Sequence, residues 1–136
     1  HTYAGIQLRH KCAEIIHGDI QQTGKAKVTP AYNLPCSYVI HTVGPIVTYS
    51  LTQKDCDDLR SCYKSCLKLA ESNHLESIAF CCISTGEFHF PPYEAAQIAI
   101  QTVKEYKEET KSKVKVIFNV FKDSDKNIYE ELLRTA

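Results

Sequence analysis

The stretch SIAFCCI at residues 77–83 constrains this chain more than any other. Six of its seven residues are apolar, and they run together instead of alternating. A strand open to water on one face alternates apolar and polar side chains, whereas one covered on both faces does not. The run is short for a helix, and Ser84-Thr85-Gly86 stops it abruptly. It is expected as a strand buried on both faces, in a parallel sheet covered by helices.

The flanking segments fit such a sheet. Residues 54–72 carry Leu59, Cys62, Tyr63, Cys66, Leu67 and Ala70 at helical spacing, which predicts one apolar helix face. Residues 92–107 repeat the pattern with Ala96, Ala99, Val103 and Tyr106. A strand is expected over 113–121. A last helix follows, capped by Asp123 or Ser124, with Ile128, Leu132 and Leu133 inward. Before these lie two strand candidates, 27–32 and 37–43. Only NLPC separates them, too little for a parallel crossover, so they should pair antiparallel. Pro30 cannot donate to a ladder, which makes the first an edge strand. Residues 2–16 have helical periodicity, with Gly18 as their stop. Alternation of strands and helices after residue 37 predicts an α/β layered fold with helices on both faces.

The 136 residues suit a single domain. Formal net charge is zero, so no electrostatic case exists for a nucleic-acid or membrane partner. No apolar run approaches the length of a membrane span, and the start shows no signal-peptide pattern. Seven cysteines, without a CxxC pair and partly inside apolar periodic segments, read as reduced thiols of a cytoplasmic protein. The chain opens at His1 in what reads as mid-helix, with no strand before it, and an incomplete N-terminus is expected.

Chemistry concentrates in CCISTGEFHFPP, residues 81–92. In an open α/β sheet, ligands bind beyond the carboxyl ends of the strands. Pro92 is suited to a helix's first position, and a helix start offers free N–H groups and a partial positive charge. Gly86 allows a tight turn and close backbone approach. Ser84 and Thr85 add hydroxyls, and Phe88 or Phe90 could cover a ring or sugar. The competing reading is a turn whose phenylalanines pack back onto the helix. Cys62 and Cys66, spaced for a metal, lie on an apolar face and read as core. His41 reads as structural. Glu87 is the best-placed carboxylate for acid–base work, though a solvated glutamate is the simpler reading. No Ser-His-Asp, P-loop or GxGxxG pattern is present.

Four separated stretches then point one way. HTYAG at the start, TGKAKVTPAYNLPCSYVIHTVGP at 23–45, SIAFCCISTGEFHFP at 77–91 and VIFNVFKDSDKNIYEELL at 116–133 together resemble the macrodomain family, which binds ADP-ribose. The third is similar to the zinc-containing microbial branch, whose members are protein ADP-ribosyl hydrolases, often associated with sirtuin-type ADP-ribosyl transferases. The resemblance implies a three-layer α/β/α fold on a mixed six-stranded sheet. It implies that Ser84, Thr85, Gly86 and Glu87 present donors to the diphosphate. Phe88 would lie against the distal ribose, Phe121 would stack on adenine, and Asn119 would help line that pocket.

The departures from the family pattern define the rest. The first strands, the adenine-reading Asp, the catalytic loop and the zinc ligands would all precede His1. Residues 1–136 thus match the C-terminal portion of one macrodomain, with no metal ligands of their own and catalytic residues unknown. The HGDI at 17–20 imitates the adenine-reading motif, but it follows a helix and precedes an edge strand, so Asp19 is a decoy. The expected intact form hydrolyses mono-ADP-ribose from modified proteins with zinc. A non-catalytic ADP-ribose reader, an ADP-ribose phosphate phosphatase and an interaction protein without ligand are the alternatives. Without the interior strand, 77–83 would expose unpaired backbone, so a separate chain supplying the N-terminal part is a further expectation.

Overall fold

The computed structural model describes residues 22–31, 36–86, 88–120 and 122–135. The expected helix at 2–16, Gly18 and Asp19 lie outside them.

A turn at Gly24, with φ 85°, leads into β1 (Ala26–Pro30). The Gly24 carbonyl accepts hydrogen bonds from Ser61 Oγ at 3.0 Å and Ser65 Oγ at 2.8 Å, which fixes this entry to the helix that follows. Strand β1 pairs antiparallel with β2 (Tyr38–Thr42), Ala26 opposite Thr42 and Pro30 opposite Tyr38. Pro30 ends a strand paired on one side only, as its missing donor requires.

Helix α1 (Gln53–Ser72) starts at a capping box. Thr52 Oγ1 accepts from the Asp55 N–H at 3.2 Å, and Asp55 Oδ2 accepts from the Thr52 N–H at 3.1 Å. Its buried side chains are the six the periodicity predicts. Helix α2 (Pro92–Thr110) buries Ala96, Ala99, Val103 and Tyr106 as expected, together with Ala95, Ile100 and Thr102. It runs to Thr110, and left-handed Lys111 closes it. Between these helices lies β3 (Ser77–Phe80), which pairs parallel with β4 (Lys115–Phe118), and α3 (Asp123–Thr135) follows.

Four aromatic rings join the layers. Tyr63 of α1 meets Phe80 of β3 at 4.9 Å between centroids. Phe80 meets Phe118 of β4 at 6.3 Å, and Phe118 meets Tyr129 of α3 at 5.1 Å. Each such pair contributes about 0.5–1.5 kcal/mol beyond area burial. Burial in this core raises the Tyr129 and Tyr63 phenol pKa values.

The structure corrects several expectations. Strand β3 ends at Phe80, and its burial alternates: Ile78 and Phe80 are buried while Ser77 and Ala79 are exposed. In β4, shorter than expected, Ile117 is likewise exposed. The described helices cover one face of this two-stranded sheet, and no described residue covers the other enough to bury it. Cys81 therefore lies exposed beyond the strand, and Cys82 is half-buried. In α3, Leu133 is exposed, and Tyr129 takes the inward position instead. The four described strands form two separate pairs.

His41 is structural, as read from the sequence. Its Nε2 lies 2.9 Å from Thr29 Oγ1, and that hydroxyl donates to the Pro30 carbonyl at 3.2 Å. With its own hydrogen so used, Thr29 Oγ1 accepts from the His41 ring. Burial pushes the His41 pKa below 6.5. The unfolded chain then takes up this proton at higher pH than the folded one. Stability from a neutral His41 is present above the unfolded pKa and is lost as pH falls through the folded one. The urea midpoint should fall between about pH 7 and pH 5, and His41→Asn should flatten that slope. An unchanged slope in the variant would remove His41 from the titration.

Candidate ligand site

Parallel pairing brings the carboxyl ends of β3 and β4 to one edge of the sheet. The junction is tight: Asn119 N–H donates to the Phe80 carbonyl at 2.7 Å. From that edge the loop 81–91 leaves β3 and enters α2. The topology thus places three expected contributors together: the loop residues Ser84 to Gly86 with Phe88, the α2 N-terminus and Asn119.

The loop folds back on itself. The Phe90 N–H donates to the Ser84 carbonyl at 2.9 Å and the His89 N–H to the Gly86 carbonyl at 3.2 Å. Two residues take left-handed backbone to do this, Ser84 with φ 67° and His89 with φ 61°. Gly86 is not among them, so it is not the turn-former expected. A Cβ built on Gly86 meets no atom within 4 Å. The fold therefore does not need glycine there, and what the glycine provides is open space over its own backbone. Its N–H has no partner among the described residues.

Ser84 is buried, and its Oγ has no hydrogen-bond partner among the described residues. Gly44, just past β2, makes room for it: a Cβ on Gly44 would overlap Ser84 Oγ and lie 2.8 Å from Ile83 Cγ2. The Thr85 hydroxyl donates to the Cys82 carbonyl at 3.1 Å, so it is a loop brace and not the free donor expected. The two phenylalanines divide. Phe90 is 1% exposed and belongs to the core, while Phe88 stays 36% exposed at the site. The Phe88 carbonyl accepts from the Val47 N–H at 2.9 Å, which ties this loop to the segment after β2.

Helix α2 starts with Pro91 at its cap and Pro92 in its first turn, and no side chain caps it. Uncapped N–H groups and the helix dipole favour an anion. Asn119 is exposed at the end of β4 and borders a second hollow with Val120, Lys126 and Tyr129. Glu87 and Phe121 lie outside the described residues. Among the described residues, no three His, Cys, Asp or Glu side chains gather as metal ligands. Zinc therefore has no fitting site in them. Burial raises the Cys62 and Cys82 thiol pKa values and takes Cys66 up to about 12, so none is an activated nucleophile. Sequence reasoning missed the Gly44–Ser84 approach and the Val47–Phe88 bond. The only trace of either is the Gly44-Pro45 pair ending β2.

An open glycine backbone, a half-exposed aromatic and an uncapped helix start thus meet at one sheet edge of an α/β domain, an arrangement whose N–H groups suit an anion. The profile of the Macro domain family matches residues 1–99. This chain belongs to the Macro domain family. It is 53% identical over 135 residues to a protein-ADP-ribose hydrolase of Treponema medium, covering 98% of this chain and 52% of that protein. It is 44% identical over 134 residues to the rat ADP-ribose glycohydrolase MACROD1, covering 98% of this chain and 51% of that protein. A macrodomain of Oceanobacillus iheyensis solved with ADP superposes with a TM-score of 0.89 at 35% identity, over 99% of this chain and 72% of that one. The chain spans about half the length of the curated relatives it matches.

Proposed function

We propose that this chain carries the diphosphate- and ribose-gripping part of an ADP-ribose site, in a domain that hydrolyses mono-ADP-ribose from modified proteins. The observation that carries it is Gly86, a glycine with free space over an N–H that has no partner among the described residues, in the loop that enters an uncapped helix start. The names of the relatives support the hydrolase class.

In this reading the loop N–H groups and the first turn of α2 hold the diphosphate. Phe88 lies against the distal ribose. The reaction breaks the bond from C1″ of that ribose to the protein side chain. Water oxygen bonds to C1″, and its proton leaves with the released side chain. This chain's contribution is positioning, which lowers the barrier by fixing ribose and phosphate relative to the attacking water. Zinc, if the protein uses it, is held by ligands beyond the described residues, and no step is routed through it. A sirtuin-type transferase as the source of the modification and a cytoplasmic location belong to the same proposal.

One observation favours a second reading. What the described residues offer at the loop is backbone N–H groups, an uncapped helix start and an aromatic ring, groups that bind rather than react, which suits a module that binds ADP-ribose without cleaving it. Calorimetry with ADP-ribose, paired with release of label from a mono-ADP-ribosylated protein, separates the two. Heat without release supports the reader. No heat at millimolar ligand defeats both. Phe121→Ala should weaken AMP binding by about 1–3 kcal/mol while ribose 5-phosphate binding holds, by analogy with base stacking on aromatics. An unchanged ratio of the two affinities would remove Phe121 from the adenine pocket.

A further inference from the structure

The segment from Val43 to Thr52 joins β2 to α1 without forming helix or strand. Gly44, Pro45 and Val47 are buried and Leu51 packs against the core, so the segment is pinned along its length. Between these pins it turns large apolar side chains outward. Ile46 is 57% exposed, and Tyr49 is fully exposed. A lone apolar side chain on a surface is ordinary, whereas a contiguous patch marks an interaction site. Here the patch continues across the ligand loop. The bond from Val47 N–H to the Phe88 carbonyl sets this segment against Phe88, and Tyr93 stands exposed in the first turn of α2.

An acidic edge lies where the segment ends. Helices α1 and α2 pack together, and Cys56 of α1 senses Asp55 and Asp57 of its own helix and Glu94 of α2. Burial raises its thiol pKa, with Arg60 opposing and these carboxylates adding to the rise. The first turns of the two helices therefore meet, with three carboxylates between them. Such an edge repels a nucleic-acid backbone and attracts a basic side chain. Apolar patch and acidic edge together suit a polypeptide with an apolar residue and a basic one close by.

We infer that Ile46, Tyr49 and Tyr93 seat the polypeptide that carries the ADP-ribose, and that the acidic edge selects a basic residue near the modified one. The inference rests on the ADP-ribose reading of the site and adds to it the chemistry of the modified protein. In that reading the bond to be broken joins C1″ of the distal ribose to a protein side chain, and Phe88 lies against that ribose. The polypeptide therefore leaves the site past Phe88. Tyr49 follows Val47 by two residues, so its backbone lies within about 8 Å of the segment's bond to Phe88, a reach that the neighbours of the modified residue span. Tyrosine offers an apolar body with a polar tip, the kind of side chain that interfaces use. Free ADP-ribose has no polypeptide to lay on this surface and gains nothing from it.

Calorimetry compares free ADP-ribose with two peptides that carry ADP-ribose through a hydrolysis-resistant C1″ linkage. One peptide has leucine and lysine beside the modified residue, the other glycine and glutamate. The first should bind at least tenfold more tightly than free ADP-ribose, and the second no more tightly. Tyr49→Ala and Ile46→Ser should each remove at least threefold of that preference and leave the affinity for free ADP-ribose within twofold. Both side chains are exposed, so neither change should cost the fold. Equal binding of the two peptides, or a preference untouched by both variants, overturns the inference while free ADP-ribose still binds. So does a variant that weakens peptide and free ligand alike, because its residue then belongs to the ligand site. Self-association without ligand that Tyr49→Ala abolishes overturns it too, since a second copy then covers the patch. No binding of free ADP-ribose by the parent defeats the underlying reading, and this inference falls with it.

Discussion

Gly86→Val should abolish measurable ADP-ribose binding and leave the thermal unfolding midpoint nearly unchanged. The two halves of that result come from one observation. A Cβ at Gly86 meets nothing within 4 Å, and its φ lies outside the left-handed region, so the folded chain accepts a side chain there. Surface substitutions of this kind change stability by no more than about 0.5 kcal/mol. The space that valine would fill is the space through which an anion reaches the N–H. A branched side chain keeps a phosphate beyond hydrogen-bond distance. Calorimetry and a thermal scan on the same sample suffice. Affinity equal to the parent's would remove the loop from the site, while loss of folding would show that the glycine serves the turn.

Gly44→Ala acts on the same loop from behind. The new methyl would collide with Ser84 Oγ and Ile83 Cγ2, both side-chain atoms that can shift only at a cost. Overpacking of this kind costs about 1–3 kcal/mol. Because Ser84 sits in the left-handed region and anchors the Phe90 N–H, its displacement should also weaken ADP-ribose binding. Residues in contact are not additive. Combining Gly44→Ala with Ser84→Ala should therefore cost less than the sum of the two alone. Strict additivity in urea unfolding would show that the two residues do not meet.

The helices were the legible part of this chain. The 3.6-residue period on α1 named every buried position, because an amphipathic face is written residue by residue. The strand at 77–83 was half legible. An apolar run announces a strand but does not say where pairing stops, and here Asn119 closes the ladder at Phe80. Phe88 and Phe90 look alike in a sequence, two residues apart with a histidine between. Their fates differ because His89 takes left-handed backbone, a property of the turn and not of either ring. The helix start at Pro92 was visible from proline's fixed φ. Gly44 against Ser84, forty residues apart in the chain, left no local pattern to read.

The bond from Val47 N–H to the Phe88 carbonyl has a practical consequence. It moors a half-exposed ring to a second segment, so in the proposed site a ligand's contact with Phe88 and the posture of residues 43–51 are mechanically linked. The chain has no tryptophan. A single indole placed at position 88 would therefore shine alone, and its emission would record both events in real time.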